Sequence, residues 1–206
     1  MAWDKTWEDF YGGGGGNRYP EPAVIRFVFR YFSESTLSRD SIKILDLGAG
    51  AGAHLWFLAR EGFSAYGIDG SVSAVNRARR FLRNENLNAN ISVGDFEALP
   101  FDSEYFHGVI DSASIQHNAP AEATRILDEV YRVTKPGGFV FSMFLQSDRS
   151  LSAPGFVTTR LAESELRSLF KKFEVIDIDE HYYTENSKKK SITFSLVTAQ
   201  KSNDEI

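Results

Sequence analysis

Three glycines at alternate positions and two carboxylates spaced around them carry the first chemical signal in this chain. Ile42-Lys-Ile-Leu-Asp-Leu47 reads as a short apolar strand running straight into Gly48-Ala-Gly-Ala-Gly52 and then a helical pattern. Glycine at 48, 50 and 52 lets the backbone turn with positive φ and approach a ligand, while the amides opening the next helix offer unpaired donors to an anionic group. Asp69 ends the second predicted strand about 20 residues further on, where a carboxylate can accept hydrogen bonds from both ribose hydroxyls. The two features together predict a site for a small adenosine-containing molecule. The loop alone leaves the molecule open, since Gly48, Gly50 and Ala53 also fit a dinucleotide fingerprint.

Other reactive residue types narrow the chemistry. There is no cysteine, so disulfides, thiolate metal sites and thiol nucleophiles are excluded together. The histidines at 54, 107, 117 and 181 are dispersed without metal-ligand spacing, and no metal is expected. The formal charge of −5 argues against a broad nucleic-acid footprint and favours a small or neutral partner. Arg77, Arg79, Arg80, Arg83 and Lys188-Lys-Lys190 read as solvated faces, because no aromatic platform is interleaved with them. No signal sequence and no apolar run of membrane-spanning length is present, so a cytoplasmic setting is expected.

The elements that must position these residues follow from periodicity. Strands are predicted near 42–47, 64–68, 90–93, 107–111, 138–145, 173–179 and 191–199, with helices near 52–61, 71–84, 120–133 and 162–170. Ser71 is a plausible N-cap, and Pro136-Gly137-Gly138 should stop the third of these helices before the fifth strand. A polar segment, Tyr183 to Lys190, is too short for a helical crossover, so the last two strands should be antiparallel. Upstream, Trp3, Trp7, Phe10 and Tyr11 suit one face of a short helix, Gly12 to Gly16 break it, and Pro22 opens a second apolar helix. Lys201 to Ile206 reads as a frayed tail.

Four segments resemble the class I S-adenosylmethionine-dependent methyltransferases of the small-molecule branch: Leu45-Asp-Leu-Gly-Ala-Gly-Ala-Gly52, Ala65-Tyr-Gly-Ile-Asp-Gly-Ser71, Gly94-Asp-Phe-Glu-Ala-Leu-Pro-Phe-Asp102 and Arg132-Val-Thr-Lys-Pro-Gly-Gly138. The resemblance runs from about Ile42 to Val197. It implies an α/β, Rossmann-like, seven-stranded and mostly parallel sheet with an antiparallel last strand and helices on both faces. The length suits a single domain over 1–206, in which the aromatic residues flanking the polyglycine stretch make 1–33 an expected N-terminal helical lid or substrate segment and the resemblance makes 42–199 the cofactor-binding core. Position by position, Asp46 and the backbone of Gly48, Ala49 and Gly50 are expected to hold the methionine end of S-adenosyl-L-methionine, and Asp69 the ribose, with Gly70 flanking the adenine. Asp95 is expected at the adenine amine, Phe96 with its amide and ring beside it, and Ser112 along the methionine moiety. The product would be S-adenosyl-L-homocysteine.

Methyl transfer from a sulfonium is an in-line displacement, so orientation and a dry site supply much of the acceleration, and a base is needed only for a protonated acceptor. His117, on the loop after the fourth strand, is the candidate base or acceptor-orienting residue, with Gln116 and Asn118 able to position a polar acceptor. Trp7, Tyr11, Arg18 and Tyr19 flank the polyglycine stretch and are expected to meet a small-molecule acceptor, and Arg149 and Arg160 could meet an acidic one. Two rival readings stand beside this one: a non-catalytic binding domain on the same fold, and a nicotinamide-dependent oxidoreductase in which Tyr131 and Lys135 form a Tyr-x-x-x-Lys pair. The acceptor, the atom methylated and the oligomeric state stay open.

Overall fold

The computed structural model describes residues 5–146, 158–184 and 191–203. Trp3, Arg149 and the Lys188 to Lys190 run lie outside them. Seven strands form one sheet: β1 Lys43–Leu47, β2 Ser64–Asp69, β3 Asn90–Val93, β4 Phe106–Ser112, β5 Thr134–Leu145, β6 Glu174–Thr184 and β7 Ser191–Gln200. Their order is β3-β2-β1-β4-β5-β7-β6, with β1 to β5 parallel and β7 antiparallel to both β5 and β6. The chain leaves β1 toward one edge and β4 toward the other. A crevice therefore opens at the carboxyl ends of β1 and β4, the place where open α/β sheets bind ligands.

Among the described residues six α-helices surround the sheet: α1 Lys5–Gly12, α2 Pro22–Phe32, α3 Ala53–Arg60, α4 Val72–Asn84, α5 Pro120–Val133 and α6 Glu163–Leu169. Alternation along β1 sets the two cores. Ile44 packs with α2, α3 and α4 residues such as Val28, Leu55 and Val75, while Leu45 and Leu47 face Ile126, Val130 and Leu166 of α5 and α6. All nine of these side chains are buried, each contributing about 1.5–3 kcal/mol of transfer free energy. Ser71 caps α4 as the sequence predicts, its Oγ accepting the Ala74 N–H at 3.0 Å.

Two expectations need correction. β5 begins at Thr134, before Pro136-Gly137-Gly138, because Phe106 pairs with Thr134 and Gly108 with Phe139, leaving the proline and glycines as an irregularity within the pairing. Lys201 is no frayed residue: it is buried, and its ammonium donates to the Thr134 carbonyl at 3.0 Å and the Tyr131 carbonyl at 3.2 Å. These bonds close the start of β5 against the end of β7.

Candidate cofactor and acceptor site

β1 ends in a turn whose geometry only glycine tolerates well. Gly48 has φ +78° and Gly50 φ +51°, and a Cβ on Gly50 would lie 2.5 Å from the Tyr11 hydroxyl. The left-handed turn sends the Gly48 and Ala49 N–H groups back to the Ile68 carbonyl at 2.9 and 3.1 Å, and the Gly50 N–H to Asp69 Oδ2 at 2.8 Å. These three donors are thus used within the fold. What the turn offers a ligand is close approach to the backbone.

Beneath the turn, Asp46 is fully buried. Its Oδ1 lies 3.2 Å from His54 Nδ1, and its Oδ2 has no hydrogen-bond partner among the described residues. A buried carboxylate oxygen left bare is costly, so the position calls for a donor from outside the chain. The Glu21 N–H donates to His54 Nε2 at 3.4 Å, so Nδ1 carries the proton given to Asp46. Burial lowers the proton affinity of His54, but the charge and hydrogen bond of Asp46, with Glu21, outweigh it and the net shift is upward.

Asp69, at the end of β2, receives the Ser71 N–H at 2.8 Å on its other oxygen. Burial pushes its pKa up to about 6, against the two N–H bonds, with Asp46 and Glu8 adding to the rise. Helix α1 closes over this end. Glu8 accepts the Ser71 hydroxyl at 2.7 Å and the Ser73 N–H at 3.2 Å, placing a carboxylate at the positive end of α4. The Ser73 hydroxyl donates to Glu8 as well, and this bond first, then that of Ser71, holds the Glu8 carboxyl below the ordinary range. Arg77 completes the latch, donating to the Tyr11 carbonyl at 3.1 Å and to the Gly15 carbonyl. Arg77 is therefore a structural clamp on the polyglycine turn and no solvated charge. Tyr11 is pushed well above its ordinary pKa by burial and by Asp69 and Asp46.

The opposite wall hangs from Asp111, whose role is absent from the sequence reading. Its carboxylate is buried and accepts the Ser114 N–H at 2.7 Å, the Ile115 N–H at 3.1 Å and the Ser142 hydroxyl. Burial, opposed by these bonds, pushes its pKa up to about 6. The bonds hold Ala113 at φ +67°, a strained conformation for a residue with a side chain, and present Ser114 to Gly48. A short 3-10 turn, Ile115–His117, follows and sets the His117 ring 4.9 Å from the Trp7 ring.

Residues 44–138 match the family model described as a methyltransferase domain. Among curated relatives, the sarcosine/dimethylglycine N-methyltransferase of Aphanothece halophytica is 33% identical over 151 residues, covering 71% of this chain and 53% of that protein. Among solved structures, a SAM-dependent methyltransferase from Methanosarcina mazei superposes with a TM-score of 0.72 at 23% identity, covering 90% of this chain and all of that one. Residues 44–138 thus match a methyltransferase domain, set in a sheet with the class I S-adenosylmethionine-dependent methyltransferase fold. The fold is not confined to one activity, since the [4+2]-cyclase SpnF superposes with a TM-score of 0.70 at 18% identity, covering 97% and 93% of the two chains. The chain spans about half the length of the curated relatives it matches.

Within this methyltransferase domain one cavity of about 260 Å³ gathers Trp7, Tyr11, Gly48, Asp69, Gly70, Phe96, Ser112 and His117, eight of the residues singled out from sequence. Phe10, Asn17, Ser114 and Asn118 also line it. The bare Asp46 oxygen, the glycine turn and the Asp69 carboxylate fit an adenosyl group with an amino acid tail. Other predicted residues stand elsewhere. Asp95 caps its own turn, accepting the Glu97 N–H at 3.1 Å, and does not line the cavity. Arg18 and Tyr19 are exposed, stacked on one another 6.0 Å apart, and Arg18 faces a separate groove with Arg77 and Arg80. Gln116 is buried with its side chain turned toward β5. Tyr131 packs edge-on against Phe173 at 5.1 Å, and its partner in the Tyr-x-x-x-Lys pattern, Lys135, is at the other end of β5 from the crevice. The described residues hold no group of three or more potential metal ligands, and no helix among them is long and apolar enough to cross a membrane.

Proposed function

We propose that the protein transfers the methyl group of S-adenosylmethionine to a small-molecule acceptor. One observation carries the reading: two buried carboxylates at adjacent strand ends, one with a bare oxygen, flank a glycine turn that opens into a cavity faced by His117. S-adenosylmethionine, when bound, supplies an electrophilic methyl group on a sulfonium. Asp46 Oδ2 would take the amino group, gaining the donor its surroundings lack, and Asp69 would take the ribose hydroxyls on the lone pairs that its two N–H bonds leave open. Gly48 and Gly50 let the ligand approach the backbone closely. Trp7, Phe10, Tyr11 and Phe96 keep water from the far side, and His117 orients the acceptor. Asp95 and Phe96 would flank the adenine as the family resemblance implies, with Asp95 turning from its own loop to do so. A cytoplasmic setting goes with this reading on composition alone.

Calorimetry with S-adenosylhomocysteine and NADH, on the wild type and Asp69→Ala, tests the reading. Adenosylhomocysteine binding that the substitution weakens about 30-fold or more, with no NADH heat, is the expected result. NADH binding alone would overturn it, and a folded protein that binds neither would point to a non-catalytic domain on this fold.

A further inference from the structure

Gln116 and His117 are adjacent in sequence and do different things in space. His117 lines the cavity, whereas Gln116 is 1% exposed and points into the sheet. The Leu145 N–H donates to Gln116 Oε1 at 2.6 Å, which fixes which end of the carboxamide is oxygen, because a backbone N–H cannot donate to an NH₂. The NH₂ end is then the one that lies 3.3 Å from His117 Nε2. An NH₂ group only donates, so Nε2 must present its lone pair. That leaves the proton on Nδ1, which lies 3.4 Å from Thr158 Oγ1, a hydroxyl able to accept it. The chain from β5 to the loop is thus directional at every step. The Gln116 carbonyl is pinned as well, accepting the Thr159 N–H at 2.7 Å.

We infer that Gln116 is the positioning residue that holds His117 neutral and in the Nδ1–H tautomer. Protonating Nε2 would set an N–H against the Gln116 NH₂, two donors with nothing to share. The ionisable groups that line the same cavity are Asp69 and Tyr11, both on the cofactor side, and Asp111 lies at the root of the loop with its carboxylate turned to Ser114, Ile115 and Ser142. A neutral imidazole matters beside a sulfonium, because an imidazolium there would oppose binding of the cofactor charge. This use rests on the proposed methyl transfer, whereas the tautomer does not.

The test is nitrogen-15 NMR of the histidine side chains, with His117→Gln assigning one of the four rings. In the full-length wild type at pH 7, without ligand, the His117 ring should show the Nδ1–H pattern. In Gln116→Glu the new carboxylate accepts from Nε2, so the titration midpoint of His117 should rise by about one pH unit or more while His107 and His181 stay put. An Nε2–H or doubly protonated ring in the wild type overturns the inference, and so does an unchanged midpoint in a folded Gln116→Glu protein. The wild-type spectrum decides alone if the variant does not fold. Failure here leaves the calorimetric result on cofactor binding untouched, so the two readings fail separately.

Discussion

At one end of the cavity, Gly48, Gly50 and Asp69 are fixed by bonds from backbone N–H groups, to the Ile68 carbonyl and to the Asp69 carboxylate, at the ends of neighbouring parallel strands. At the acceptor end, Trp7, Tyr11 and His117 meet through side chains drawn from opposite halves of the chain. The first region is a consequence of local geometry: a strand, a left-handed turn and an acid at a fixed spacing. The second depends on polar latches, Glu8 with Ser71 and Ser73 and Arg77 with two carbonyls, that any reshuffling of distant residues would remove. On the proposed function, the part that would hold the cofactor is tied down by the sheet itself, and the part that would meet the acceptor is attached from outside.

The difference can be broken at its strong end first. Asp46→Ala should weaken adenosylhomocysteine binding about 100-fold, roughly 3 kcal/mol by calorimetry, as expected for loss of a charge-assisted partner. The melting temperature of the ligand-free protein should not fall in proportion, because one oxygen of Asp46 satisfies nothing there. Unchanged affinity would mean that the turn is not the amino acid end of the ligand site.

Next in size is a pH effect. Asp69 has a pKa of about 6 in the free protein and must be ionised to accept two hydroxyls. Affinity for adenosylhomocysteine should therefore be flat above pH 7 and fall about tenfold per unit as pH drops below 6. Asp111 shows the stability side of the same rule. Its folded pKa is raised to about 6 from an ordinary 3.8, so its contribution is fully present below pH 3.8 and is lost as pH rises through 6. Asp111→Asn keeps an oxygen for the Ser114 and Ile115 N–H groups and gives an NH₂ to Ser142. It should raise stability at pH 8 by about 1–2 kcal/mol in denaturant melts, with the gain vanishing near pH 4.

Smaller effects sharpen the acceptor end. Glu8→Gln should leave the melting temperature unchanged yet speed proteolysis at the polyglycine turn by about fivefold, since only the attachment of α1 is weakened. Its carboxyl is held low, so the wild-type latch should be present above the ordinary glutamate range and be lost as pH falls through the folded pKa. Arg18→Ala and Tyr19→Ala should change adenosylhomocysteine affinity less than about twofold, because both stand outside the cavity.

Legibility in the sequence followed the same divide. The strand positions, the glycine turn and Asp69 were readable because each rests on neighbours in the chain: apolar runs, glycine at alternate positions, an acid ending the next strand. Seven strands at nearly the predicted places, and an antiparallel β6–β7 pair, come from that local grammar. Glu8 was unreadable as a helix cap because its partners lie on α4, more than sixty residues away. Arg77 looked like one of four surface arginines, and only the fold shows that the polyglycine carbonyls turn toward it. Asp111 was hidden inside an apolar strand, where spacing says nothing of which backbone groups a carboxylate will collect. Gln116 shows the converse, a polar residue on a site loop whose side chain serves the sheet behind it.

Helix α1 has no fully buried residue; its Trp7 and Tyr11 rings are half-covered. A segment attached in this way adds little to the interior it covers, so it can be replaced, lengthened or redesigned without rebuilding the protein beneath. Selection acting on the first twenty residues could change the acceptor while the inherited cofactor machinery stays intact. A chimaera that keeps β1 through β7 and carries a different leading helix is therefore a natural starting point for engineering new methyl acceptors.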